Sequence, residues 1–354
     1  MDNIKRFVNT SEDLQLLLSN HSVSGPGRLE ILLKRGLYDK ITIHQSNLTL
    51  TGENKSDTIV SGIVIKRNVS KIQLENLSVA LDATVTVDEG CGIILENIYF
   101  FGVSPPSPKR NINIPILQIT GDDNVIKNIT FGHVEKLAVS TWGNRNVFQD
   151  IFFEGAGTAV RNSGNWAMLK NLVCENFTRA GIMTSGHFVT IQNCVMTCKD
   201  VPKIMLKEEQ EDPVKKVDMN PTGFYCDGYS NEVDVVDCNF DGVDLRRQSR
   251  VSLKNVACGE ILLLKSGGHT VTNCQGKILY DLVEQTEFRN CRFQEIFKGT
   301  SNTVEDRVAT AKADDRFKLP SSTFEDMTTK NSEPREITKK VNTYVEFRLN
   351  LYTE

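Results

Sequence analysis

The main pattern along the chain is a short run of alternating apolar and polar residues with an asparagine near its middle. Residues 72–79 (IQLENLSV) and 93–100 (IILENIYF) are typical copies. The Asn or Asp of each copy stands at positions 76, 97, 128, 150, 171, 193, 237, 255, 273 and 290. These positions give successive spacings of 21, 31, 22, 21, 22, 44, 18, 18 and 17 residues. A period near 20 that tolerates insertions indicates a solenoid.

The repeats are predicted to be strands rather than helices. The alternation has a period of two, and the runs are rich in Val, Ile, Phe and Thr and end in Gly, Asn or Asp. Leucine-rich repeats share the asparagine and the period, but they need Leu at fixed offsets and a helical return segment, which this chain lacks. The sequence therefore predicts an all-β coil of parallel strands, with about eleven turns stacked about 4.8 Å apart.

The asparagine column is expected to be structural. Asn tolerates the left-handed conformation that a sharp corner needs, and its amide can bond to the same residue one turn away. With this column the chain resembles the right-handed parallel β-helix, or pectin-lyase-like, superfamily. Residues 29–52 are similar to the opening turn of pectinesterases, and the resemblance extends to about residue 295. Its motifs imply a fold and not a chemistry.

The pattern predicts three regions. Residues 1–28 form an N-terminal cap, in which Thr10-Ser11-Glu12-Asp13 begins a short helix. Residues 29–298 form the β-helix, with proline-containing insertions at 103–115 and 199–221 that are expected to lie outside the coil. Residues 299–354 form a polar C-terminal arm, which ends in an alternating strand at 341–352 that either folds back on the coil or pairs with another subunit.

Four of the nine cysteines directly follow the Asn or Asp of a repeat: Cys194, Cys238, Cys274 and Cys291. The same position elsewhere holds Leu77, Ile98 or Val256, so it is predicted to be an apolar core position filled by reduced thiols. A zinc site at Cys194 and Cys198 with His187 would lack a second ligand pair, so no metal site and no cofactor are predicted.

Composition limits the possible partners and locations. The 354 residues carry 41 Lys and Arg against 45 Asp and Glu, a formal charge of −4, so no nucleic-acid partner is expected. No apolar run of about 18 residues predicts a membrane span, and no secretory signal is visible. The Asn-x-Ser/Thr sequons include the ladder residues Asn76 and Asn128 and follow from repeat composition. The protein is expected in the cytoplasm or within a virus particle.

The resemblance implies catalytic sets that this sequence does not complete. Polygalacturonase-like enzymes carry an Asp-Asp pair, Gly-His-Gly and Arg-Ile-Lys. Here Asp122-Asp123 and Gly186-His187 lie about three turns apart, where the family has one, and no Arg-Ile-Lys follows. The paired-carboxylate runs of pectinesterases and the acidic column that Ca²⁺ needs in pectate lyases are also missing.

Aligning the strand before each corner predicts an outward column of Thr120, Ser140, Arg161, Thr184, Asp227, Arg246 and Lys265. A second column, two residues earlier, holds Gln118, Ala138, Ala159, Ile182, Tyr225 and Asp244. Asp227 and Asp244 are candidate catalytic carboxylates with Arg246, while Arg161, Tyr225 and Lys265 are candidates for binding an acidic sugar. The alternative is an ordinary cross-strand ion pair between Asp and Arg.

Trp142 and Trp166 are 24 residues apart, about one turn, and are predicted to lie near one another. They form either a sugar-stacking platform or a packing contact with loops. Two functions follow. The first is a non-catalytic structural or adhesion protein, such as a virus-particle or tail-spike-like component that binds glycans and forms a homo-oligomer or larger assembly. The alternative is a polysaccharide lyase or glycoside hydrolase.

Overall fold

The computed structural model describes residues 4–20, 27–80, 84–101, 114–198, 221–226, 231–246, 249–264, 268–282 and 286–298. One helix, α1 (Ser11–Asn20), precedes the coil. The strands, in chain order, are β1 (Ile4–Val8), β2 (Leu29–Leu33), β3 (Gly36–Tyr38), β4 (Ile41–Ile43), β5 (Leu48–Gly52), β6 (Thr58–Val60), β7 (Ile63–Ile65), β8 (Ile72–Ala80), β9 (Val85–Val87), β10 (Ile94–Phe101), β11 (Leu117–Ile119), β12 (Val125–Thr141), β13 (Val147–Asn162), β14 (Met168–Glu175), β15 (Phe177–Thr184), β16 (Val189–Gln192), β17 (Val195–Thr197), β18 (Thr222–Cys226), β19 (Asn231–Val236), β20 (Asn239–Arg246), β21 (Ser249–Lys254), β22 (Ala257–Leu264), β23 (His269–Thr272), β24 (Gln275–Leu282), β25 (Thr286–Arg289) and β26 (Arg292–Lys298).

The strands form a parallel β-solenoid of about ten turns, close to the eleven predicted. Each turn has three sides. Face A stacks β1, β2 and β5, face B stacks β3 and β6, and face C stacks β4, β7 and β9. Later strands such as β12 bend around corners and contribute to more than one face. All the described pairings are parallel, so each turn extends the same three faces by one strand.

The predicted asparagine ladder is confirmed at the corner between faces A and B. All ten predicted Asn and Asp residues have a positive φ, between 51° and 56°. The Asn128 amide donates to Asn97 Oδ1 at 3.3 Å, and Asn97 donates in turn to Asn76. The Asn171 amide donates to Asp150 Oδ1 at 2.7 Å. The corner therefore satisfies its polar side chains by bonding each turn to the one before it.

Two aspartates interrupt the ladder, because a carboxylate can accept a hydrogen bond from the next turn but cannot donate one to the preceding turn. Each amide donates to the preceding turn, but a carboxylate has only acceptors. Asp150 and Asp237 therefore receive a bond from the next turn, from Asn171 and Asn255 at 2.7 Å in both cases, and each starts a new run of donations.

The interior confirms the predicted core. Phe100, Phe131 and Phe153 stack on successive turns, with ring centroids 4.5 and 5.0 Å apart. The four cysteines that follow ladder residues are buried, and none of the nine cysteines, all of which lie among the described residues, forms a disulfide. The Cys291 thiol lies 3.3 Å from the carbonyl oxygen of Arg289 and 3.2 Å from that of Val271 on the preceding turn. A thiol at this position can thus fill apolar space and weakly satisfy strand-end carbonyls.

The ends and insertions are described only in part. In α1, the Thr10 hydroxyl accepts the Asp13 N–H at 3.2 Å, and Leu14 and Leu18 are buried in the core. The residues before this helix were not predicted as a strand, yet β1 pairs with β2 and adds to face A. Most of both predicted insertions and the whole of the arm 299–354 lie outside the described residues. Both insertions connect face B to face C. No described helix has the length and apolarity needed to cross a membrane.

One buried histidine makes the stability of this coil depend on pH. His269 occupies an inward position of face A next to Val251, whose N–H lies 3.3 Å from His269 Nδ1. Burial lowers the pKa of His269 from 6.5 to about 4. Above pH 6.5 the imidazole is neutral in both the folded and the unfolded chain. Between pH 6.5 and 4 only the unfolded chain takes up the proton, so stability falls with pH.

We expect this histidine to remove about 3 kcal/mol of folding free energy between pH 6.5 and pH 4. Urea unfolding of the wild type and of His269→Val, which copies the valine that the preceding turns carry at this position (Val233 and Val251), measures that contribution as a difference. The variant should lose less stability over this range. Parallel curves for the two proteins would contradict the assignment.

Candidate functional site

The corner between faces C and A carries a second repeated arrangement on four successive turns. Each of these turns has a glycine, then a polar residue, then a residue with positive φ. The glycines are Gly121, Gly143, Gly164 and Gly186. A Cβ on Gly143 would lie 1.7 Å from the Gly121 carbonyl oxygen, and a Cβ on Gly164 equally close to that of Gly143. Only glycine permits this close stacking of the turns.

The polar residues tie these turns together. The Asn144 N–H donates to Asp122 Oδ1 at 2.7 Å, the Asn165 N–H to Asn144 Oδ1 at 3.1 Å, and the His187 N–H to Asn165 Oδ1 at 2.8 Å. Asp122 and His187 are therefore three turns apart, as the sequence predicted. These bonds hold the corner as a rigid edge.

The residues with positive φ form what we call the left-handed column. Register places Asn47, Lys71, Gly92, Asp123, Arg145, Trp166, Phe188, Glu232, Arg250 and Gly268 in it, with φ between 53° and 77°. Its central side chains pair along the column. Arg145 contacts Asp123 at 2.6 and 2.8 Å, and Arg250 contacts Glu232 at 3.0 Å.

Between these two ion pairs lies an aromatic pair. The rings of Trp166 and Phe188 stack with centroids 5.4 Å apart and planes 6° apart. Trp166 is 53% exposed and Phe188 44%, and Met168, on the same outward face, is 41% exposed. We call Trp166 and Phe188 the aromatic platform. It is a preformed apolar surface with one ion pair on each side, and within each ion pair the two charges cancel.

The fold does not require aromatic residues at these two positions. A left-handed conformation costs a residue with a side chain about 1–2 kcal/mol, and bulky residues are uncommon in it. Gly92 and Gly268 occupy the same column elsewhere without that cost. An exposed aromatic pair held in a strained conformation therefore points to a use of its outward surface.

Polar groups border the platform on both sides. Toward face C, the hydroxyls of Ser163 and Ser185 lie 3.1 Å apart. Toward face A, Thr190 lies beside Met168, and Lys170 lies beside Gln192 on the next turn. The pKa of Asp123 is lowered because Arg145 donates hydrogen bonds to it, so this carboxylate stays ionised and paired at neutral pH.

Both predicted tryptophans lie along this edge. Trp142 is 61% exposed on the turn before Trp166, and its indole N–H donates to Ser140 Oγ at 3.2 Å. The ring that Trp166 stacks on belongs to Phe188, which the sequence analysis missed. The available signal was the regular spacing of the four glycine-polar pairs along the sequence.

The predicted outward columns of face C are partly wrong. Register aligns Gln118, Ser140, Arg161, Met183, Tyr225 and Asp244 in a single column. Thr184 points inward and is buried, and Thr120 lies two residues beyond Gln118, which is the residue in register with Ser140 and Arg161. The corners differ in length from turn to turn, so spacing along the sequence does not fix the register, and a one-residue shift in register exchanges inward and outward positions.

This register brings together three of the predicted residues of face C. Tyr225 lies beside Asp244, with Arg161 two strands away across Met183. Asp244 is only 4% exposed, whereas Arg161 is exposed. Arg246 lies in register with Leu264, and Asp227 and Lys265 are outside the described residues. Among the residues that the structure describes, no three metal-binding side chains come together.

Comparison with known proteins identifies the fold. No protein-family model matches the chain, and no curated protein does. Among solved structures, the catalytic domain of a GH87 α-1,3-glucanase in complex with nigerose matches with a TM-score of 0.53 at 11% identity, over 86% of this chain and 66% of that domain. This chain thus spans slightly less than two thirds of the glucanase domain.

Two further solved structures match at lower TM-scores. A PL6 family alginate lyase matches with a TM-score of 0.47 at 11% identity, over 78% of this chain and 44% of that one. The ORF18 protein of Geobacillus virus E2 matches with a TM-score of 0.43 at 13% identity, over 83% and 61%. What the chain shares with its structural neighbours is the right-handed parallel β-helix fold.

A stability measurement tests whether the aromatic platform is needed for folding. Replacing both of its residues with glycine relieves two left-handed side chains, at about 1–2 kcal/mol each. Against this gain, each glycine costs about 0.5–1 kcal/mol of chain entropy, and one ring contact of about 1 kcal/mol is lost. We expect Trp166→Gly/Phe188→Gly to be as stable in urea as the wild type, within about 1 kcal/mol. Leu169→Ala, in the core of the same turn, should cost about 3 kcal/mol. A similar loss in the double variant would make the platform structural.

Proposed function

We propose that this right-handed parallel β-helix protein is a carbohydrate-binding protein that recognises a neutral glycan at the edge formed by Trp142, Trp166 and Phe188. The observation that carries the proposal is the exposed Trp166–Phe188 stack, held in a left-handed conformation that the fold does not require. An aromatic ring presents a flat, electron-rich face, which suits the C–H face of a sugar ring.

The surroundings of the platform support a sugar over a purely apolar partner. A bound sugar must keep its hydroxyls hydrogen-bonded when it leaves water. Ser163 and Ser185 on one side, and Thr190 and Gln192 on the other, offer donors and acceptors within the same turns. Trp142, on the preceding turn and in register with Ser163, adds another exposed aromatic ring to the same corner.

The electrostatics favour a neutral glycan. The charged residues of the left-handed column nearest to the platform are Arg145 and Glu232, and each is paired within that column. An acidic sugar would have to compete with Asp123 for Arg145. The acidic polysaccharide that the sequence suggested as a ligand is therefore not the one favoured at this edge.

A polysaccharide lyase or hydrolase remains a second candidate because Arg161, Tyr225 and Asp244 share one outward column of face C. Acid–base cleavage of a glycosidic bond uses two carboxylates. Asp244 is the only carboxylate in the described part of this column, so the recognition role is the better supported. The virus-particle and homo-oligomer predictions depend on the arm 299–354 and stay predictions.

Tryptophan fluorescence tests the proposal directly, because both tryptophans of the chain lie at this edge. We expect titration with maltotetraose, cellotetraose or nigerotetraose to change the emission for at least one of them. Phe188→Ala should weaken that binding about tenfold, equivalent to about 1.4 kcal/mol. Leu37→Ala removes an apolar side chain that is 78% exposed on face B and should bind like the wild type.

Three results would count against the proposal. Unchanged emission with all three tetrasaccharides would remove its support. Concentration-dependent dimers that Phe188→Ala abolishes would assign the platform to a second copy of the chain. Cleavage of a tetrasaccharide that Asp244→Asn abolishes would favour the enzyme.

A further inference from the structure

We infer that a concavity on face A, at the opposite end of the described coil from β26, is a second binding site, for a neutral mono- or disaccharide. It is an open concavity of about 440 Å³ over the first turns, a volume within the range of small-ligand pockets. Its lining includes Lys5, Arg28, Glu30, Thr51, Gln73 and Glu75. This site is separate from the proposed edge and does not depend on it.

The floor of the concavity is a hydrogen-bonded row of side chains on neighbouring strands. Thr51 Oγ1 donates to Glu75 Oε1 at 2.7 Å, and Gln73 Nε2 donates to Glu75 Oε2 at 3.1 Å. Arg28 Nη2 donates to Gln73 Oε1 at 3.2 Å and forms one wall. Each side chain is thus oriented by a neighbour, which preorganises the site before a ligand binds.

Unused bonding capacity in this row defines the ligand class. Arg28 Nε is buried and has no hydrogen-bond partner among the described residues, so it requires an acceptor. Each Glu75 oxygen accepts one bond in the row and has a further lone pair for a donor. A hydroxyl group is both donor and acceptor, so a polyhydroxylated molecule satisfies both needs.

The charge balance argues against a strongly charged ligand. The two cations Lys5 and Arg28 face the two carboxylates Glu30 and Glu75 within the same concavity. An anionic ligand would approach both carboxylates and a cationic ligand both cations, whereas a neutral sugar meets neither repulsion. Exposed Phe7, in register with Leu32, adds an apolar rim.

The position of the tryptophans separates this site from the edge. From Gln73, register runs through Ile94 and Val125 to Val147 on the turn of Trp142, which is three strands or about 14 Å away. Met168, on the turn of Trp166, is one strand further. A sugar in the concavity should therefore release heat in calorimetry without changing tryptophan emission. A sugar at the edge should change both signals.

The experiment is isothermal titration calorimetry of the full chain with maltose, cellobiose and nigerose, followed by fluorescence with the same sugars. We expect at least one disaccharide to bind without a fluorescence change. Thr51→Val removes the hydroxyl that orients Glu75 and should weaken binding five- to tenfold, as should Gln73→Leu. Thr42→Val, an outward threonine of face C beside Val64, is the matched control and should bind normally.

Each possible result either supports or overturns a sugar-binding site in the concavity. Binding that survives Trp166→Gly/Phe188→Gly but is weakened by Thr51→Val, in a variant that melts like the wild type, supports the concavity even if the edge binds nothing. Absence of heat with all three disaccharides overturns it. So does binding that Thr51→Val and Gln73→Leu leave unchanged, or binding that the double glycine variant abolishes.

Discussion

Two corners that demand a left-handed residue govern this molecule. From β8 to β23, the described strands of face A are bounded at both ends by a sharp bend that contains one residue at positive φ. At the corner with face B that residue is almost always asparagine, whose amide also bonds the turns together. At the corner with face C, stacked glycines and a polar column secure the geometry, so the left-handed position itself can hold many residue types.

This difference explains what the sequence could and could not predict. The first corner repeats one residue type, so Asn76, Asn97 and their successors revealed the period, the parallel strands and the core cysteines. The second corner repeats a conformation while its residue changes from Asn47 to Lys71 to Trp166. A search for repeated residues therefore passes over it, and the stacking of Trp166 on Phe188 was not foreseen. The register of face C was also predicted incorrectly, because the corners vary in length between turns.

Because the residue type in the left-handed column can vary, this column can hold side chains that bind a ligand. A side chain in the left-handed column does not support the core, since adjacent glycines and the buried asparagines Asn124 and Asn146 already hold the turns. Most of its central occupants form ion pairs that cancel their charge. The aromatic pair instead exposes apolar surface on a rigid edge. This exposure does not stabilise the fold, but it suits the binding of a flat ligand.

Hydrogen–deuterium exchange with and without maltotetraose, cellotetraose or nigerotetraose tests the central claim most directly, because it locates the bound surface along the chain. Recognition at the edge predicts slower exchange of residues 142–146, 163–168 and 185–190 for at least one sugar. Slower exchange centred on residues 222–226 and 239–246 of face C, or no change with any of the three, would contradict it.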